Sequence, residues 1–142
     1  MDMSRKIKNI IAITVSLICI GLINVAGQNI EIEIRGMNAF TFILITAVLL
    51  QIIFFIPSFL LKTEKYYDIV GSLTYIITIS IAYFSVENKT MIDSIIYFYV
   101  LVWASRLGIY LFRRVRNDGK DIRFEKAKRH FFYFLQYWMG QA

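Results

Sequence analysis

The sequence predicts an all-α, polytopic membrane protein: four transmembrane helices and an amphipathic C-terminal helix in a single membrane domain, residues 1–142. Three observations carry this. Composition is the first: 58% of residues are hydrophobic and 18% charged, against about 45–50% and about 25% in soluble domains. Second, four nearly uncharged stretches approach the roughly 20 helical residues that cross a hydrocarbon core. Third, basic residues crowd into alternate loops. The same composition excludes disorder, which needs low hydrophobicity and high charge. One proline and seven glycines exclude collagen-like sequence. A single cysteine, Cys19, excludes an intrachain disulfide scaffold, and with one histidine leaves no basis for a zinc site.

The first span covers residues 7–26, uncharged after Lys8. A cleaved signal peptide is the alternative, with Val25-Ala26-Gly27 as cleavage site. The apolar stretch is longer than an h-region of about 7–15 residues, which favours an uncleaved anchor. The second span, 37–61, is interrupted only by Gln51 and Pro57; Pro57 is expected to kink the helix near its end. The third, 69–86, is short and uncharged. The fourth, 91–112, contains Asp93 near its start and Arg106 near its end. β-Branched residues abound, but in lipid a backbone must pair within its own segment, so these runs are helices.

With alternating sides, thirteen basic residues fall on one face and two on the other. Positive charge marks the cytoplasmic side, which places both termini there. A bacterial inner membrane fits this bias better than the endoplasmic reticulum. Asn117-Asp118-Gly119 is a turn signal. Beyond it Phe124, Ala127, Phe131, Phe134, Leu135 and Trp138 recur at helical spacing, opposite Arg123, Glu125, Lys126, Lys128 and Arg129. That pattern predicts an interfacial amphipathic helix over about 121–138. Residues 131–142 either dip into the bilayer or begin a fifth span. The twelve residues after His130 make about 18 Å of helix, short of a core of about 30 Å.

Polar groups inside the spans are the candidate functional residues. Arg106 either snorkels toward the basic end of its helix or faces a pocket. Tyr99, Trp103, Arg106, Tyr110 and Arg113 share one stripe, which lines a cavity or forms an interfacial aromatic belt. The Gln51 amide needs an interhelical partner or a ligand. Gly71, Thr74 and Thr78 form a small-residue seam that explains close helix packing. Cys19 reads as an inert packing residue, too far from His130 for a nucleophilic pair. Asp121 and Arg123 read as a local ion pair at a helix start. Phosphate-loop, HExxH and GxSxG motifs are absent. The basic–aromatic tail abuts a span, so its partner is the lipid bilayer rather than nucleic acid.

These motifs also occur together in a familiar order. A span containing Gln51 and Ile56-Pro57 is followed by Thr63-Glu64-Lys65-Tyr66-Tyr67-Asp68, then Trp103-Ala104-Ser105-Arg106-Leu107-Gly108-Ile109-Tyr110, then Asp121-Ile122-Arg123-Phe124. From about residue 40 onward the chain resembles the DUF1295 family. That family is related to the steroid 5-alpha-reductase C-terminal domain and, more distantly, to sterol reductases and isoprenylcysteine methyltransferases. The resemblance implies a helical membrane reductase fold with a cytoplasm-facing cavity. It implies NADPH as cofactor and reduction of a conjugated double bond in a lipid-like or steroid-like substrate. By the same resemblance Arg106, Tyr110, Asp121 and Arg123 lie at the cofactor, Tyr66 or Tyr67 donates a proton, and Gln51 faces the substrate pocket. Relatives continue past Gln141-Ala142 with further spans, so the chain is expected to be the N-terminal portion of a longer domain with a partial cofactor site. Two other readings stand beside this one. A non-enzymatic small membrane subunit or scaffold follows from the missing acid–base constellation. A channel or transporter half follows from Gln51 and Arg106 as intramembrane polar groups.

Overall fold

The computed structural model describes residues 3–118 and 124–142. Among them are five α-helices: α1 Met3–Ala26, α2 Ala39–Leu60, α3 Tyr67–Ser85, α4 Met91–Asp118 and α5 Phe131–Gln141. The first four are long and apolar enough to cross a membrane. The protein is an integral, polytopic helical membrane protein, as its composition predicts.

The connections explain where the helices start and stop. Between α1 and α2, Glu33-Ile34 pairs antiparallel with Met37-Asn38. Arg35 and Gly36 turn the chain with φ of 54° and 75°; a two-residue hairpin turn that matches strand twist needs positive φ at both places. The second span therefore begins two residues later than expected. Asn38 fixes that boundary. Its Oδ1 accepts from the Phe40 and Thr41 amides at 2.9 and 3.3 Å, and its Nδ2 donates to the Ile30 carbonyl at 2.6 Å. Two orphan donors of the first turn are thus satisfied. A polar clasp joins α1 to α2 at this end: Thr41 Oγ1 donates to Asn24 Oδ1 at 2.7 Å, and Gln28 Nε2 donates to Thr41 Oγ1 at 3.0 Å.

Pro57 lies in the last turn of α2, where little helix remains to distort. The Thr63 amide then donates to the Ser58 carbonyl at 2.9 Å and the Lys62 amide to Phe59 at 3.2 Å, with Lys62 left-handed at φ 50°. This pair of bonds is the Schellman ending of a helix.

α3 and α4 form the tightest pair. A Cβ at Gly108 would stand 2.7 Å from the Ser72 Cβ, and Ala104, one turn earlier, is fully buried. Small residues one turn apart let two backbones approach where lipid supplies no hydrophobic drive. Toward the 86–90 turn the pair is closed by the Tyr83–Tyr97 stack, centroids 4.3 Å apart, and by contacts of Ser80 with the Tyr97 hydroxyl and Tyr83 with Ser94, at 3.2 and 3.0 Å. Asp93 is no interruption of the fourth span. Its Oδ2 accepts from the Thr90 amide at 2.7 Å, while its own amide donates to Thr90 Oγ1 at 3.2 Å. That reciprocal capping box starts α4. α4 also runs six residues past the expected end, carrying Arg113, Arg114 and Arg116 on the helix itself.

The tail departs most from expectation. Ala127–Arg129 is a 3₁₀ turn, and α-helix begins only at Phe131. Asp121 and Arg123, the expected helix start, lie outside the described residues. The eleven residues of α5 give about 16 Å of helix, too little to cross the bilayer alone. Its aromatic face turns into the protein rather than toward headgroups. Phe124, Ala127, Phe134 and Trp138 form the core with Phe55 of α2 and Val70 of α3. Polar ties fasten it: Lys128 Nζ to Glu64 at 2.6 Å, and the Tyr67 hydroxyl to the Tyr137 carbonyl at 2.9 Å. At the same end Arg114 pairs with Asp68 at 3.8 Å, and Lys6 stands over the Phe132 ring at 5.6 Å. The basic segments at the start of α1, after α2 and at the end of α4 thus meet at one end of the bundle.

Candidate functional site

Two polar centres stand out, and the structure keeps them apart. The first is inside the bundle. Gln51 is fully buried on α2. Its Nε2 donates to Thr74 Oγ1 on α3 at 3.0 Å, and Thr74 Oγ1 donates onward to the Val70 carbonyl at 2.8 Å. The interhelical bond is therefore made through Thr74 alone of the expected seam: Gly71 faces the Gln141 side chain of α5, and the Thr78 hydroxyl donates to the Thr74 carbonyl of its own helix at 2.8 Å. Half of the amide is left over: Oε1 is buried with no hydrogen-bond partner. An orphan acceptor of this kind costs about 1–3 kcal/mol until a donor arrives. The Trp138 Nε1 donor and the Gln141 Oε1 acceptor are also buried and unpaired.

The two adjacent tyrosines separate clearly. Tyr67 packs its ring against Phe124 and Trp138, centroids 4.7 and 5.3 Å away, and its hydroxyl donates to a backbone carbonyl. It belongs to the fastening of the tail. Tyr66 is about half exposed and lines a small cavity of about 230 Å³ with Lys65, Phe112, Val115 and Arg116.

The second centre is the α4 stripe. Arg106 and Tyr110 line an open groove of about 690 Å³ with Phe98, Val102, Ser105 and Arg113. Tyr99 and Tyr110 are 69% and 63% exposed, so the stripe faces away from the other helices. Trp103 touches back at Tyr75, centroids 5.2 Å apart. No acid among the described residues pairs with Arg106. The stripe is thus one wall of a larger environment: lipid, or another protein surface.

Three features escaped the sequence. Glu64 and Lys128 are 64 residues apart, with no local pattern to link them. A basic cavity joins α1 to the tail through Lys8, Lys126, Arg129 and His130, which in sequence look like two unrelated charge runs. Cys19, expected to pack, is exposed on α1. Among the described residues no cluster of three metal-ligating side chains occurs.

The family DUF1295, described as "Protein of unknown function (DUF1295)", matches residues 54–142. The match covers the end of α2, all of α3 and α4, and the tail. It includes Tyr66, Tyr67, Arg106 and Tyr110, while Gln51 stands three residues before it. No curated protein and no solved structure matches the chain. On a match to more than half of its length, the chain belongs to the DUF1295 family.

Proposed function

We propose that the chain forms part of a membrane reductase that uses NADPH to reduce a conjugated double bond in a lipid-like substrate. The observation that carries this reading is the α4 groove, where Arg106, Tyr110 and Arg113, with Ser105, line one surface that is otherwise apolar. The two guanidinium-bearing residues are seven apart, about 10 Å along a helix. Arginine forks suit phosphate oxygens because they pair bidentately, so the donor set fits a dinucleotide phosphate. The groove volume falls within the roughly 300–1,000 Å³ of ligand sites. When bound, the nicotinamide supplies the hydride.

The chain's own residues do the rest. Arg106 and Arg113 hold phosphate; on the family resemblance Arg123 joins them, and Asp121 lies at the cofactor end without touching phosphate. Tyr110 orients the cofactor between the two arginines. Gln51, fully buried and bonded to Thr74, holds α2 to α3 and does not line the groove. Of the two tyrosines, Tyr66 is the better proton source, because the Tyr67 hydroxyl is committed to the Tyr137 carbonyl. In detergent, titration followed by nicotinamide fluorescence should show saturable NADPH binding. Arg106→Ala should weaken it about tenfold, the scale of one charge-assisted hydrogen bond. Arg106→Lys, which keeps charge but loses the fork, should fall between. Absence of saturation in the wild-type chain would refute the reading. The outward Tyr99–Tyr110 stripe favours a second reading, a non-enzymatic subunit whose partner covers that face; a subunit shows no such saturation.

We also place the basic end of the bundle in the cytoplasm, since positive residues are retained there. In a Cys19→Ser background, Ser4→Cys should react with an impermeant maleimide only after the membrane is opened, and Asn88→Cys in intact cells. The reverse pattern would invert the assignment.

A further inference from the structure

A cavity of about 720 Å³ opens where α1 meets the tail. Lys8 and Asn9 contribute from α1, Lys126 and Arg129 from the segment before α5, and His130 and Tyr133 from the start of α5. Among the described residues of its wall, Glu125 is the acid. Among the described residues of the wall, three fixed cations stand against one carboxylate, an excess of two positive charges. His130, the N-cap of α5, makes no side-chain cap bond, so the partial positive charge of the first turn adds to this field. The cavity shares no lining residue with the α4 groove.

Its depth says what kind of anion it takes. Lys8 stands at the start of the apolar span of α1. Around it on the same helix, Ile7, Ile10 and Ile11 are 53%, 40% and 54% exposed. A cationic cavity continuous with an uncovered apolar helix face offers charge at headgroup level and hydrocarbon contact directly beneath. A soluble anion would use only the first.

We propose that this cavity binds the headgroup phosphate of an anionic glycerophospholipid, with the acyl chains lying along α1. A zwitterionic lipid brings its own amine and gains less from the excess positive charge. Bound this way, the lipid bridges α1 to the tail, which in turn is fastened to α2 and α3.

The test uses the full chain purified in neutral detergent, titrated with phosphatidylglycerol or phosphatidylcholine, with bound lipid counted by native mass spectrometry. Phosphatidylglycerol should bind at least about tenfold more tightly than phosphatidylcholine. Lys126→Gln with Arg129→Gln should weaken phosphatidylglycerol about 30-fold, at about fivefold for each surface cation. Both side chains are exposed, so the substitutions open no core. Lys8→Glu, on the opposite wall, should produce a comparable loss without touching the tail. Lys65→Gln with Arg116→Gln removes the same charge at the same end of the bundle and should change binding by less than about twofold, because those charges act only through screened solvent. Equal weakening by this control pair would reduce the cavity to a diffuse charge effect and overturn the proposal. So would equal binding of phosphatidylcholine, or displacement of phosphatidylglycerol by millimolar inorganic phosphate, which would make the cavity a soluble-anion site.

Discussion

Trp138→Ala should unfasten the C-terminal segment from the bundle, at a cost of about 3–5 kcal/mol. Trp138 has no exposed surface. It is ringed by Tyr67, Phe134 and Phe55, with centroids 5.3, 6.0 and 6.3 Å away and planes crossing at 90°, 88° and 67°. Edge-to-face contacts of this kind each add about 0.5–1.5 kcal/mol beyond area burial. Those three neighbours come from α3, α5 and α2, so one truncation opens a void at a three-way junction, where collapse around it is hardest. The indole adds an internal control. Its Nε1 is a buried donor without a partner, so Trp138→Phe removes no hydrogen bond and deletes an unsatisfied group. That variant should lose less than about 1.5 kcal/mol. Thermal unfolding in detergent will separate the two. Limited trypsin digestion at Lys126, Lys128 and Arg129 should accelerate sharply for the alanine variant alone. Wild-type melting and digestion in Trp138→Ala would show that the tail is not held by this core.

How far the sequence discloses this arrangement depends on distance along the chain. The four spans are legible because a hydrocarbon core imposes a length, and each observed helix lies within a few residues of its apolar run, apart from the C-terminal extension of α4. The start of the tail helix is not legible. Phe124 and Ala127 are three apart, a spacing that serves a 3₁₀ turn as well as an α-helix. Their burial therefore does not reveal that α5 waits until Phe131. Gln51 and Thr74 are each conspicuous as polar groups within apolar runs, yet their pairing appears only when α2 and α3 are set side by side. The outward direction of Arg106 is hidden for another reason. In water a polar stripe faces solvent by default. In lipid that default vanishes, so the sequence gives the stripe without its orientation. The same holds for Cys19, since an almost wholly apolar α1 has no face that must point inward. The hairpin at Glu33–Asn38 is too short to show alternation, and only Arg35-Gly36 hints at its turn.

The second large effect belongs to Lys128. In sequence it is one cation among many on a supposed outer face; in the structure its Nζ reaches Glu64 at 2.6 Å, with the Glu64 side chain only 4% exposed and that of Lys128 21%. Glu64 sits in the turn between α2 and α3, and its carbonyl accepts the Tyr67 amide at 3.0 Å. The pair thus ties the tail to the turn that orients α3. Removing one member of a buried pair leaves a desolvated charge, which costs about 3–5 kcal/mol, whereas replacing both by apolar groups is often neutral. Lys128→Met should therefore destabilise the protein by about 3 kcal/mol, the low end because Glu64 has further interactions. The double variant with Glu64→Leu should recover most of that loss. The two positions are in direct contact, so a double-mutant cycle should give a coupling of about 1–3 kcal/mol. Arg116→Met is the matching control: it removes a cation from the exposed end of α4 and should shift stability by no more than about 0.5 kcal/mol. The cycle also discriminates between two kinds of work for the pair. If Glu64 and Lys128 only neutralise each other, the apolar double variant will melt with the wild type and retain trypsin resistance in the tail. If the pair also sets the angle at which the tail leaves the turn, melting will recover while cleavage at Arg129 stays fast. Additive losses, with no recovery at all, would mean that the contact carries no energy and that Tyr67 and Trp138 alone hold the segment.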